Sequence, residues 1–154
     1  VEEIVLLGYP TVLGSRLTEH YEALVRECKL LRAGARNSPD PGQRDRIPPE
    51  LAQLASRLAG TYASHVLGPE QLRLDAQAKG EEQVDMHYPT SSIRAEEIAA
   101  WQAVFAEMDI YAYRNELLTT PTPRDVATLL RWCLREFRNQ AAGEHPHPWT
   151  GPLR

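Results

Sequence analysis

The chain is poor in the features that several common activities require. Acidic residues outnumber basic ones 21 to 17, for a formal net charge of −4, and only Lys29 and Lys79 among the basic residues are lysines. A duplex-binding domain carries a surplus of basic side chains to displace counterions from phosphates, so this balance argues against nucleic acid as a partner. The preference for arginine follows from the codons of a GC-rich genome and also suits planar recognition of carboxylates. Cys28 and Cys133 are too few for a disulfide framework and lack metal-ligand spacing. No apolar run approaches the ~20 residues that span a bilayer, and no signal-peptide pattern opens the chain. A cytoplasmic setting without a membrane is therefore expected. The nine glycines are scattered. The chain contains no GxGxxG or P-loop phosphate cradle, no GxSxG nucleophile elbow, and no HExxH or CxxC metal pattern. No catalytic, cofactor-binding or metal-binding residue is assigned, and no cofactor is expected.

What remains is ordinary globular material. With 154 residues, 42% apolar and 25% charged, the chain suits one domain with a sizeable core. We expect a single helical domain over residues 1–143 with a flexible loop at 34–48, followed by a proline-rich tail at 144–154. The first residue is Val1 and not methionine, which leaves room for an upstream leader or domain.

Strand formers at residues 3–9 end at Pro10 and predict a short strand. From Thr11 the set Leu13, Leu17, Tyr21, Leu24, Cys28 and Leu31 recurs every three or four residues, marking one face of a helix that Gly34 would stop. Pro48 and Pro49 can open a second helix carrying Leu51, Leu54, Leu58, Tyr62 and His65. A short helix over 69–79 would end at Gly80, and Val84, Met86 and Tyr88 then alternate with polar residues as in a half-buried strand. A long helix capped at Ser91 or Ser92 follows, with a seam of Ile98, Trp101, Phe105, Met108 and Ala112 and an end near Leu118. That seam is long for so small a domain and predicts a homodimer. Thr122 would cap the last helix and Pro123 would take its first position. Its stripe is Val126, Leu130, Cys133, Phe137 and Gln140, and Gly143 is its stop. Tyr9-Pro10-Thr11 recurs as Tyr88-Pro89-Thr90, which would relate two strand–helix units by a pseudo-twofold with their strands side by side. The expected fold class is mainly α (α+β), four to five helices packed as a bundle with a small two-stranded sheet.

Four residues stand out as possible partner or ligand contacts: Arg131, Arg135, Arg138 and Trp149. The arginines are spaced 4 and 3 apart and share one helix face, where they can receive an acidic partner segment or an anionic ligand. Pairing with the acidic helix near 92–118 is the expected arrangement, with partner docking as the alternative. Trp149 lies beyond the last helix, and its burial energy favours a tail that folds back to plug a groove. Trp101, Phe105, Trp132 and Phe137 recur at helical spacing and read as core. His145 and His147 can reach one ion from one side of an extended tail, but without further ligands at diagnostic spacing a packed or solvated tail is expected. Glu107 and Asp109 point to different helix faces, as on a solvated surface.

Glu19-His20-Tyr21-Glu22 through Arg26-Glu27, Val84-Asp85, Glu116-Leu117-Leu118-Thr119, Arg131-Trp132, Glu136-Phe137, Gln140 and Pro148-Trp149 run along most of the chain. On these residues it resembles an uncharacterised family of small bacterial proteins associated with anti-sigma-factor kinases and their antagonists. The resemblance implies a mainly helical regulatory or sensory partner in stress or developmental signalling and supplies no catalytic residues. The chain departs from the family in its proline-rich insert around 35–48 and in Tyr111 and Tyr113 before Arg114. The leading expectation is a non-enzymatic protein-interaction module in bacterial signalling that docks a protein partner, such as an anti-sigma or related component. A small-molecule sensor with Tyr62, Tyr111 or Arg131 as polar anchors is the alternative. A metal-dependent or hydrolytic enzyme built on Glu107, Asp109, His145 and His147 ranks last.

Overall fold

The computed structural model describes residues 3–37, 69–90 and 95–154, with 49, 50, 53 and 56 as single helical positions. Within these residues the elements run β1 (Glu3–Pro10), α1 (Thr11–Asn37), α2 (residues 69–78), β2 (Gln83–Pro89), α3 (Ala95–Tyr113) and α4 (Arg124–Ala141). The result is a mainly helical α+β fold with a two-stranded antiparallel sheet. The expected helix carrying Leu51 to His65, the loop from 38 to 48 and the caps Ser91 and Ser92 lie outside the described residues, as do the side chains of Cys28, Leu31 and Trp101.

The sheet is short, and its register decides what faces the core. Ile4 pairs with Tyr88 and Leu6 with Met86, after which β1 carries one extra residue before Tyr9 pairs with Val84. The insertion switches the alternation, so that Tyr9 rather than Gly8 turns inward. Gly8 accommodates the irregularity with φ 66°. Two side chains of β2 meet its backbone: its N–H donates to Asp85 Oδ1 and its carbonyl accepts from Gln83 Nε2, both at 2.7 Å. The paired Tyr-Pro-Thr tripeptides thus end two strands that do lie side by side. Tyr9 faces Val84, four residues before Tyr88, whereas Tyr88 faces Ile4, five residues before Tyr9. The difference is the inserted residue.

Helix α1 starts without a loop. The Thr11 N–H donates to the Glu82 carbonyl at 3.0 Å and its hydroxyl to the Glu81 carbonyl at 2.7 Å, which fastens the strand–helix corner to the approach to β2. Arg73 of α2 is buried against this corner, where its guanidinium donates to Glu70, Ser15, Gln77 and the Thr11 carbonyl. At the other end α1 runs past Gly34 to Asn37. A lone glycine in a helix costs only about 1 kcal/mol relative to alanine and is not a stop by itself.

The ends of α2, α3 and α4 share one device. Gly80, Asn115 and Gly143 take positive φ, each donating its N–H three residues back, and the next residue donates five residues back. These paired bonds satisfy carbonyls that a helix end leaves open. Asn115 thereby ends α3 at Tyr113, ahead of the expected end near Leu118, because asparagine tolerates the left-handed conformation. The start of α4 also differs from expectation. Pro123 holds the capping position with no side-chain cap, since the Thr122 hydroxyl is spent on Asp109.

Helix α4 is the centre of the fold and packs on α1, α3 and β1. Leu129, Trp132, Leu134 and Glu136 are buried along with most of the expected stripe, while Leu130 is half-buried. Ile98, Phe105, Met108 and Ala112, the seam that predicted a homodimer, are buried in the chain's own core. These four residues of the seam therefore pack within the chain. None of the described helices is long and apolar enough to cross a membrane.

Two glycines of α1 have opposite surroundings. A Cβ on buried Gly14 would overlap the Tyr9 ring and press on Arg73, whereas nothing stands near Gly34. Gly14→Ala should cost about 1–3 kcal/mol through overpacking, and Gly34→Ala should gain about 0.5–1 kcal/mol of helix stability. Urea denaturation of both variants checks the pair, and changes of the same sign would contradict the packing described for Tyr9.

Candidate functional site

Helix α4 buries one side and exposes the other. Arg131, Arg135 and Arg138 lie on the exposed side, spaced as one helical face. They border a groove of about 560 Å³ between α4, the first turns of α3 at Ile98, Ala99 and Gln102, and the tail at residues 148–151. The structure thus brings together all four residues singled out in the sequence, with Trp149 lining the same groove as the arginines. Among the described residues the lining contains three arginines and no carboxylate. No described carboxylate of α3 pairs with them. Arg131 donates to the Thr128 hydroxyl at 3.2 Å, Arg135 Nε stands 3.9 Å from Glu136 Oε1, and Arg138 has no ion pair among the described residues.

The tail wall is fastened from behind. Trp149 is 7% exposed and stacks edge-on against Trp132 with ring centroids 5.3 Å apart. Its backbone N–H donates to the Leu7 carbonyl at 2.9 Å, and its indole N–H donates to the Pro152 carbonyl at 3.0 Å. A Cβ on Gly151 would overlap the indole, so this turn needs glycine for close approach. The expected back-folding of the tail is what the structure shows. Ahead of Trp149, the His147 N–H donates to Glu136 Oε2 at 2.9 Å and its imidazole Nδ1 lies 3.6 Å from Oε1.

Glu136 has no exposed surface, and its Oε2 also accepts from Gln140 Nε2 at 3.2 Å. The same Gln140 amide spans Val5, accepting from its N–H at 2.9 Å and donating to its carbonyl at 2.8 Å. One polar chain therefore joins β1, α4 and the tail. Its signal in the sequence was two polar residues, one turn apart, on the stripe that also carries Cys133 and Phe137.

A second, more open groove of about 530 Å³ lies where α1 meets the α3–α4 connection, bordered by Arg16, His20, Thr119 and Pro123 among others. Side-chain staples hold the segments around it. Glu27 accepts the backbone N–H groups of Leu118 and Thr119, and Asp109 accepts both the N–H and the hydroxyl of Thr122. With its proton on Asp109, the Thr122 oxygen accepts from His20 Nε2 at 3.0 Å, which places the imidazole proton on that nitrogen. Arg16 forks onto Asp125.

The residues of the enzyme reading are not assembled. Asp109 is committed to Thr122, Glu107 is exposed, His147 pairs with Glu136, and His145 is exposed on the tail. Among the described residues no group of three or more His, Cys, Asp or Glu side chains is arranged to hold a metal ion. Burial pushes the Cys133 thiol well above its ordinary range, so little thiolate is available for attack. Of the sensor anchors, Arg131 lines the first groove, half-buried Tyr111 lines neither groove, and Tyr62 lies outside the described residues.

A scan against models of protein families, a search of curated proteins and a search of solved structures found nothing that matches the chain. The chemistry of the grooves themselves carries the functional reading.

Two predictions follow from these contacts. The hydrogen bonds from Arg16 hold the Asp125 carboxyl below its usual value, and burial holds His20 below the usual imidazole range against the pull of Asp109. Both shifts have the same sign in stability. The Asp125 contribution is present above the unfolded carboxylate pKa of about 3.9 and is lost as pH falls through its lower folded value. Protonation of His20 below about pH 6.5 favours the unfolded chain. Stability measured by denaturant from pH 7 to 3 should therefore fall on acidification, and Asp125→Asn should flatten the lower part of that curve. An unchanged slope in the variant would refute the assignment. Separately, Trp149→Ala should cost about 3–5 kcal/mol, the range for a buried aromatic; a change under about 1 kcal/mol, as for surface substitutions, would show that the tail is not docked.

Proposed function

We propose that this protein is a non-enzymatic protein-interaction module of bacterial signalling, acting in the cytoplasm, with the groove between α3, α4 and the C-terminal tail as its docking surface. The observation that carries the reading is the set of three arginines lining that groove without a carboxylate partner in it among the described residues, beside a tryptophan already locked in place. Arginine and tryptophan are the side chains most enriched where binding energy concentrates, and a wall already ordered before binding loses little entropy on association. The resemblance to proteins that accompany anti-sigma-factor kinases points to the same kind of role. Glu27, Asp109 and Asp125, by contrast, are engaged in holding the fold.

The test is photo-crosslinking in the native host from a probe at Gln102. The expected result is one signalling protein captured by the unaltered groove and lost in the Arg131→Glu/Arg138→Glu variant, with unchanged circular dichroism. Capture of the same proteins by both would overturn the reading. The size of the groove favours one other occupant, since about 560 Å³ lies within the range of small-molecule sites. Thermal shift against a metabolite library addresses that alternative, which wins if a compound stabilises the chain through Arg131 and no protein is captured.

A further inference from the structure

We propose that the groove receives an acidic amphipathic helix of the partner, laid along α4 with its carboxylates opposite Arg131, Arg135 and Arg138. This inference rests on the docking role proposed above and names the chemistry of what docks.

Charge complementarity carries it. The chain as a whole bears a formal charge of −4, yet among the described residues the lining of this groove holds three arginines and no acid. The long-range field of the protein thus does not recruit polyanions, while the local field of the groove selects negative side chains at contact range. At roughly 10 Å the Debye screening of physiological salt already separates these two effects.

The layout of the charges selects the form of the occupant. Residues 131, 135 and 138 cover two turns of one face, about 10 Å along the axis at 1.5 Å per residue. A single small anion is best held by guanidinium groups that converge on it, whereas a row suits several anions in line. A second helix repeats the 4 and 3 spacing of α4, so carboxylates on one of its faces meet the arginines in register at the usual interaxial distance of 8–10 Å. Guanidinium groups also match carboxylates two bonds at a time. Ile98, Leu134, Pro148 and Trp149 border the same groove and provide contact for one or two apolar side chains beside the acidic row. A nucleic acid strand offers a row of anions too, but without the apolar partner and against the net charge of the chain.

The experiment uses the full chain and a fluorescein-labelled, stapled helical peptide of about twenty residues with glutamates at i, i+4 and i+7 and leucines beside them. Fluorescence anisotropy is read alongside three comparison probes: the same peptide with glutamine for glutamate, a single-stranded oligonucleotide, and labelled citrate. The proposal expects the acidic peptide to bind, its affinity to fall with salt, and the Arg131→Glu/Arg138→Glu variant to weaken it about tenfold or more. Both positions are exposed, and circular dichroism confirms the fold of the variant. Arg131→Lys/Arg138→Lys, which keeps the charge, should restore part of the loss. Equal binding of the glutamine peptide, tighter binding of the oligonucleotide or citrate, or indifference to charge reversal would each overturn the proposal. If the crosslinked partner still depends on the arginines while the acidic peptide does not bind, the docking reading stands and the acidic helix falls; if neither depends on them, both fall.

Discussion

A buried carboxylate calls for donors, and in this protein Glu136 Oε2 is met from its own helix and from the tail at once. Gln140 and the His147 N–H donate to it, and Gln140 in turn holds both backbone groups of Val5. Losing one partner of a buried charge costs about 3–5 kcal/mol, whereas a half-exposed pair such as Arg16–Asp125 lies nearer the surface value of about 0–1 kcal/mol. The first interaction therefore sets the geometry and the second trims it. Because Gln140 ties α4 to β1 and Glu136 ties the same helix to residue 147, the position of Trp149, and with it the wall of the groove, follows from polar groups in the core.

This arrangement also solves a problem of the sheet. Two strands alone are marginal in water, and the side of β1 away from β2 presents open backbone groups. Gln140 covers Val5 in the manner of a neighbouring strand, and the Trp149 N–H takes the Leu7 carbonyl. A side-chain amide and an irregular tail thus close an edge that a third strand would otherwise occupy. The inserted residue at Gly8 serves the same end on the other side, where Asp85 and Gln83 meet the backbone groups that leave the ladder.

Five acids of the chain work as internal acceptors. Glu27, Asp85, Asp109, Asp125 and Glu136 each take backbone N–H groups. Arginines divide differently: Arg73 is buried and bonded on several sides, while Arg131, Arg135 and Arg138 remain exposed around the groove. An acidic protein can therefore present a basic surface, since charges spent on holding loops and helix ends are not available to neutralise a distant face.

Periodicity and local punctuation made the elements legible in advance: the alternation of Val84, Met86 and Tyr88, the stripe of α1, and the stops at Gly80 and Gly143 each depend on residues within a turn or two of one another. The same locality made Arg131, Arg135 and Arg138 recognisable as one face. Gly34 and Thr122 misled because a glycine can be absorbed by a long helix and a threonine can be recruited by a carboxylate 13 residues away. The composition and local pattern of the chain determined a mainly helical domain, its apolar faces and a basic row on its last helix. Only the tertiary structure decided that the row borders a groove, that Trp149 closes it and that Glu136 holds the closure. Val5 and Gln140 are 135 residues apart, and a hydrogen bond over such a distance arises from packing, which no local pattern encodes.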